Sequence, residues 1–201
     1  MKIYLNRDWK FSSKDYNFEV VTLPHTCKET PFHYFSEKEY QMITTYQKEI
    51  DIPIEWKDKN VLLTFEGVAH SCVVYINDRK IGEHHCGYTA FTLNLKEHLI
   101  YGEKNVLKVI VNSHENLNVP PFGHVIDYMT YGGIYRDVYL DVKEDVYLED
   151  VFVSSDLNDL TVKVKLNKEA LCTCKVLMRK KGELEYQCLG SFTTKEKHIE
   201  Y

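Results

Sequence analysis

The residue types that could do chemistry in this chain gather between Gly123 and Val142, in "GHVIDYMTYGGIYRDVYLDV". Asp127 is a loop acid placed ahead of two adjacent glycines, Gly132 and Gly133, with rings around it at Phe122, Tyr128 and Tyr131. An ionised carboxylate can accept hydrogen bonds from two hydroxyls at once. Tyrosine rings offer flat apolar faces. Asp127, Tyr128 and Tyr131 therefore suit a polyhydroxylated ring with one C–H face, such as a sugar. An acid in front of a glycine pair is equally at home as a turn cap, and residue types alone leave both roles open. Gly132 and Gly133 supply the backbone freedom for a sharp turn into the next strand. No helix follows them and neither a GxGxxG nor a Walker pattern is written, so this is not a phosphate loop. Period-two alternation puts Arg136 on the same face as Ile134 and Val138, which predicts a partly buried structural arginine held by a carboxylate. Pro120 and Pro121 stiffen the approach to the loop.

A catalytic set does not emerge elsewhere. The serines lie outside any nucleophile-elbow pattern, and the carboxylate pair about 5 Å apart that a retaining glycosidase uses cannot be singled out by spacing. The doublet His84-His85 beside Cys86 alternates across a strand, so its side chains converge poorly on a metal, and no second ligand cluster is evident. Cys172 and Cys174 share a strand face but write neither a CxxC redox motif nor a zinc knuckle. No metal and no cofactor are expected, and the six cysteines read as free thiols.

The elements that must hold these residues are short strands. "NVLLTFEG" sets Val61, Leu63 and Phe65 on one face. After a short break comes "SCVVYIN", and then "NDRK", a hairpin turn in which Asn77 and Asp78 tolerate positive φ. "GYTAFTLNL" and "KNVLKVIVN" add two strands, joined by "KEHLIYGE", which reads as a helical turn closed by Gly102. "IYRDVYLDV" sets Ile134, Val138, Leu140 and Val142 on one side and Tyr135, Asp137, Tyr139 and Asp141 on the other. A second aromatic-rich stretch, Thr30 to Ile50, is either an edge loop packed by its own rings or another lip of a ligand site. No segment keeps a helical period, so the chain is predicted to be all-β, a jelly-roll sandwich over residues 1–143.

Composition shifts near Lys143. Beyond it Leu160, Val162, Val164 and Leu166 alternate with Thr161, Lys163 and Lys165, and a hairpin turns near Lys181-Gly182. Residues 144–201 are predicted to begin an immunoglobulin-like sandwich, and they are too few for the roughly 100 that a complete one needs. The chain is expected to stop inside that domain. A net charge of −5 is the wrong sign for a nucleic-acid partner. No run reaches the roughly 18 apolar residues of a membrane span, and the N-terminus lacks the apolar centre of a signal peptide. A cytoplasmic location is expected.

Several phrases in order, "VVTLPHT" (Val20–Thr26), "FEGV" (Phe65–Val68), "VYINDRKIGEHHCGYTAFTLNL" (Val74–Leu95), "NVLKVIVNS" (Asn105–Ser113) and "DYMTYGGIYRDVYL" (Asp127–Leu140), resemble the N-terminal region of glycoside hydrolase family 2, the β-galactosidase and β-glucuronidase family. The resemblance implies a sugar-binding jelly roll, then an immunoglobulin-like domain, then a (β/α)8 barrel carrying the catalytic glutamates. The barrel is absent from these residues, so the chain alone is expected to be inactive. Its implied partners are a carbohydrate with a terminal β-linked sugar, the barrel in cis and a possible second copy in a homo-oligomer. In the family an Asp six residues before the second glycine of the "GGIYRD" motif contacts the sugar, and that position is Asp127 here. Departures include Cys27 after "LPHT", Asn77-Asp78 in place of Asn-Gly, and one glycine in "HHCGY" where many members have two. Galactose, glucuronate and mannose all stay open as the sugar. So do two other roles for the chain, a freestanding carbohydrate-binding module and a purely structural brace.

Overall fold

The computed structural model describes residues 1–14, 17–29, 33, 36–120, 122, 130–157 and 159–201. The chain is all-β, and among the described residues the helical segments are two single 3-10 turns, Glu37–Glu39 and Ile54–Trp56. No helix is long and apolar enough to cross a membrane. The chain divides into two compact units, Met1–Lys143 and Glu144–Tyr201.

The first unit contains β1 (Lys2–Tyr4), β2 (Trp9–Ser13), β3 (Glu19–Val21), β4 (Ile43–Asp51), β5 (Asn60–Phe65), β6 (Val68–Ala69), β7 (Ser71–Ile76), β8 (Arg79–His84), β9 (Phe91–Asn94), β10 (Lys104–Asn112), β11 (Gly133–Ile134) and β12 (Val138–Lys143). One sheet runs β1-β12-β5-β9 and the other β3-β2-β4-β10-β7-β8, with every pairing antiparallel. Alternation dictates register. In β10, Leu107, Val109 and Val111 are buried and lie opposite Ile76, Val74 and Cys72 of β7. In the facing sheet Val138, Leu140 and Val142 pair with Phe65, Leu63 and Val61. A one-residue slip would turn either row to water, so the pattern fixes the pairing. The two rows meet in one core centred on Trp9, Phe11, Tyr46, Phe65 and Leu63. The indole nitrogen of Trp9 donates to the Leu5 carbonyl at 2.5 Å, so this large side chain is buried without an orphaned donor.

The hairpin turn has φ of 49° at Asn77 and 63° at Asp78, the left-handed pair that a two-residue turn between twisted strands requires. Residues 96–102 form turns rather than the expected helical turn, and Gly102, at φ 81°, donates its N–H to the Ile52 carbonyl. The organiser of this end is Asn105, which is fully buried. Its Oδ1 accepts from the Ile100 N–H and from Asn77 Nδ2, both at 2.8 Å, and its own Nδ2 donates to the Ile100 carbonyl at 2.8 Å.

The second unit contains β13 (Leu148–Asp156), β14 (Asp159–Leu166), β15 (Cys172–Met178), β16 (Gln187–Thr194) and β17 (His198–Glu200), arranged as a three-stranded sheet β13-β14-β17 and a hairpin β15-β16. Its hairpin turns through Gly182 at φ 94°. The apolar faces enclose a cleft of about 670 Å³ lined by side chains such as Val151, Val164, Cys174 and Phe192.

Replacing Asn105 with alanine strands the Ile100 amide and carbonyl and the Asn77 side chain. Each of these part-buried hydrogen bonds contributes about 0.5–1.5 kcal/mol. Urea titration of Asn105→Ala is expected to show a loss of about 2 kcal/mol of unfolding free energy, the sum of several lost hydrogen bonds.

Candidate functional site

The corner that the residue types singled out is built on a two-strand ladder. β6 pairs with β11, Gly133 opposite Ala69 and Ile134 opposite Val68. The chain leaves β6 through His70, whose N–H donates to the Asn112 carbonyl at 3.0 Å. This sets His70 beside Thr130–Gly132, which lead into β11. Residues 25–27 flank the other side of β11: the His25 N–H donates to the Ile134 carbonyl at 2.9 Å, and the Cys27 N–H to the Gly132 carbonyl at 2.8 Å.

Both glycines are required by space. A Cβ on Gly132 would stand 2.3 Å from the Ser113 Cβ and 2.7 Å from the Cys27 Sγ. Gly133 has φ 119°, and a Cβ there would meet the His25 carbonyl oxygen and the Tyr46 hydroxyl at 2.7 Å. A third close approach is at Gly67, where the ring of Tyr135 lies over the backbone and its hydroxyl donates to the Gly87 carbonyl.

Asp127 and Tyr128 lie outside the described residues. Tyr131 is described, with 51% of its surface exposed. Arg136 departs from the expectation of partial burial. It is exposed, no carboxylate among the described residues pairs with it, and its guanidinium carbon sits 5.8 Å from the Tyr135 ring centre. The cause is a gap in the ladder. Pairing ends at Ile134 and resumes at Val138, so the parity that put Arg136 beside those residues is not in force between them.

The described part of the corner encloses a cavity of about 260 Å³ lined by His70, Tyr88, Thr130, Tyr131 and Tyr135, with backbone from Ala69 and Gly87. His70 is 3% exposed, with both ring nitrogens shut off from solvent. Burial pushes its pKa below the ordinary 6.5, outweighing the upward pull of Glu115 and of the Pro120 backbone. The same Glu115 accepts from the buried Thr130 hydroxyl at 3.1 Å. Sequence reasoning passed over His70 because it falls in the break between two strands, where no alternation marks a side chain as inward.

The histidine doublet diverges. His84 stacks on Phe91 with ring centres 4.3 Å apart, and its Nε2 lies 2.9 Å from the Thr89 hydroxyl. His85 instead faces Glu83 at 3.7 Å. Among the described residues no group of three or more His, Cys, Asp or Glu is placed to hold a metal. The six thiols are free. Burial pushes Cys72 up to about 12 and raises Cys27 as well, which makes both poor nucleophiles.

Two outcomes follow from this geometry. Gly132→Ala forces a methyl into Ser113 and Cys27, and overpacking of this kind costs about 1–3 kcal/mol. Gly87→Ala meets its neighbours at an ordinary 3.6 Å. Thermal denaturation should therefore show a lowered midpoint for the first variant and a near-native one for the second. His25, like His70, is held below 6.5 chiefly by burial. The folded form thus binds fewer protons than the unfolded one, so stability is full above pH 6.5 and falls as pH drops toward the depressed folded values. Urea midpoints should decline as pH is taken below 6.5, and His25→Gln should flatten part of that decline.

Comparison with known proteins places this corner in context. The family model described as "Glycosyl hydrolases family 2, sugar binding domain" matches residues 8–144. A β-galactosidase of Thermoanaerobacter pseudethanolicus is 41% identical over 164 residues, covering 81% of this chain and 22% of that protein. A β-glucuronidase of Bacteroides fragilis is 34% identical over 202 residues, covering 96% of this chain and 28% of that protein. A crystal structure from Bacteroides fragilis that carries a provisional β-galactosidase name superposes over 100% of this chain and 34% of its own, with a TM-score of 0.85 and 26% identity. The chain thus spans less than a third of the length of these curated relatives. With its sugar binding domain matched from residue 8 to residue 144, the chain belongs to glycosyl hydrolases family 2.

Proposed function

We propose that this chain is the non-catalytic N-terminal part of a β-galactosidase-like exo-glycosidase that cleaves terminal β-glycosidic bonds with retention. In this reading a downstream (β/α)8 barrel supplies the catalytic glutamates and the jelly roll completes the sugar site. Asp127 is the residue that reaches the sugar, accepting hydrogen bonds from its hydroxyls, with Tyr128 and Tyr131 beside it. The chain alone carries no hydrolytic activity.

The observation that carries this reading is the family sugar-binding match over residues 8–144. It ends one residue beyond Lys143, where the first compact unit also ends. Relatives named as β-galactosidases and as β-glucuronidases both match, and each is several times longer than the matched segment. The six free thiols fit a reducing compartment, and a cytoplasmic location is part of the proposal.

The test is made on the complete gene product, assayed with nitrophenyl β-galactoside and nitrophenyl β-glucuronide. A hydrogen bond to a charged group is worth about 1.5–3 kcal/mol. Asp127→Ala should therefore lower kcat/KM by at least about tenfold while the thermal midpoint holds. Unchanged kinetics, or a loss that tracks only stability, would overturn the role of Asp127. Absence of hydrolysis of either substrate by the wild-type product would overturn the glycosidase reading.

A further inference from the structure

All nine residues of β13, Leu148–Asp156, are exposed. Among the described residues the strand pairs with β14 along one edge and with nothing along the other. It is apolar on both faces. Val151 and Val153, 47% and 57% exposed, line the cleft, and Phe152, 59% exposed, stands on the opposite face. The far side of β14 shows which backbone groups the free edge of β13 presents. Val162 of β14 exchanges both of its backbone bonds with Tyr201, at 2.8 and 2.9 Å. Its N–H and C=O thus turn away from Val153, which lies opposite it in β13. The N–H and C=O of Val153, and by period two those of Val151 and Ser155, therefore point outward. The Val151 N–H agrees with that direction, since it donates to the side-chain Oδ1 of Asp150 at 2.9 Å.

A row of outward amides and carbonyls is a template for another strand. The sequence of β13 fits it to a second copy of itself. Antiparallel pairing about a two-fold axis must match outward-pointing residues with one another, so the axis passes through Val151, Phe152 or Val153. Centred on Val153, it would set Asp150 against Asp156, two like charges in register. Centred on Val151, it would set the Asp150 carboxylate against Phe152. Centred on Phe152, it sets Val151 against Val153, Asp150 against Ser154, and Phe152 against its own copy, with no charge facing another of its sign. Phe152 then falls in a non-hydrogen-bonded pair, where Cα atoms approach to about 4.5 Å and side chains are closest. From Val151 to Asp156 the strand has neither the lysine nor the proline that commonly guards an edge. Its guards sit at one end: the Asp150 carboxylate over the Val151 N–H, and the register shift between Leu148 and Asp150.

We propose that β13 is the interface of a two-fold dimer of this chain, paired antiparallel about Phe152 so that two three-stranded sheets become one. On the cleft side, Val151 of each copy lies beside Val153 of the other, a cross-strand pair of β-branched side chains. The other edge of the sheet, β17, is three residues long, so association through this sheet closes at two copies. A contact of one strand with one strand is small, which places the dimer among transient interfaces of less than about 1,200 Å². Pairing displaces the Asp150 carboxylate from the Val151 N–H, so Asp150 opposes association. The inference rests neither on Asp127 nor on the glycosidase reading.

The test uses the 201-residue chain, followed by sedimentation equilibrium from micromolar to millimolar concentration, with hydrogen exchange read at Val151, Val153 and Ser155. A monomer–dimer equilibrium should appear, and those amides should gain protection as the dimer forms. Phe152→Lys and Phe152→Glu each set like charges against one another across the axis, and each alone should weaken association by at least about tenfold. An equimolar mixture of the two variants should restore it, a pattern that only a residue facing its own copy can give. Both changes are at an exposed position, so the thermal midpoint should stay close to native. Asp150→Ala frees the Val151 N–H and should tighten association several-fold; it decides the matter if a Phe152 variant does not fold. A monomer at every concentration would overturn the proposal. So would a dimer that leaves the three amides unprotected, or a mixture that associates no better than its components. In the complete gene product, protection of these amides at dilutions where it is monomeric would mean that another segment of the same chain covers the edge, which also overturns it. Each of these results leaves the hydrolytic test of Asp127 untouched.

Discussion

One small hydroxyl holds the β6–β11 corner in place. Ser113, almost fully buried, accepts the Met42 N–H at 2.9 Å and donates to the Tyr40 carbonyl at 2.7 Å, while its own N–H reaches the Met42 carbonyl at 3.0 Å. The Cys27 thiol donates to the same Tyr40 carbonyl at 3.2 Å. Four pieces of chain far apart in sequence are thereby drawn to one point: the end of β10, the lead into β4, the residues after Pro24, and Gly132, pressed against both Ser113 and Cys27. A buried polar cluster is costly when half satisfied and specifying when complete. Here the donors and acceptors pair off, and the only residue that fits in the remaining gap is one without a side chain. The β6–β11 ladder, and with it the place of His70, depends on that fit.

What was legible in the sequence follows from what has a period. Val138, Leu140 and Val142 alternate with Tyr139 and Asp141, and the structure buries the first set and half-exposes the second. Asn77-Asp78 announced its turn by chemistry, since few other residues accept two successive left-handed conformations. The site was less legible because its residues have no period. Arg136 was misread when alternation was carried across a gap in pairing. His70 was missed because it occupies a break between strands. The tightness around Gly132 was invisible because it is imposed by Ser113 and Cys27, neither of them a neighbour in sequence. The resemblance to family 2 supplied what periodicity could not, an ordered set of phrases whose spacing ties the strands to one another.

The two compact units, each taken by itself, differ in how far their apolar faces are covered. In Met1–Lys143 both sheets contribute to a single core in which Trp9, Tyr46, Phe65 and Leu63 are fully buried. In Glu144–Tyr201 the alternation is as regular, yet Val151, Val153 and Met178 remain exposed around the cleft. Regular patterning is enough to form strands and hairpins. It closes a core only when a second face is present to receive the first. The first unit therefore has a closed core beneath the turns and breaks that carry the residues of the β6–β11 corner.

The glycines at 67, 132 and 133 give the corner a frame made of backbone, with its tolerances set by main-chain atoms and by rings that lie flat on them. Tyr88 and Tyr131 stand on that frame as half-bare side chains. Frame and decoration are thus separable. Point changes at the two tyrosines can alter the surface that the corner presents without reopening the fold. A change at any of the three glycines lowers stability first. A corner built in this way is suited to divergence of its surface within an unaltered scaffold.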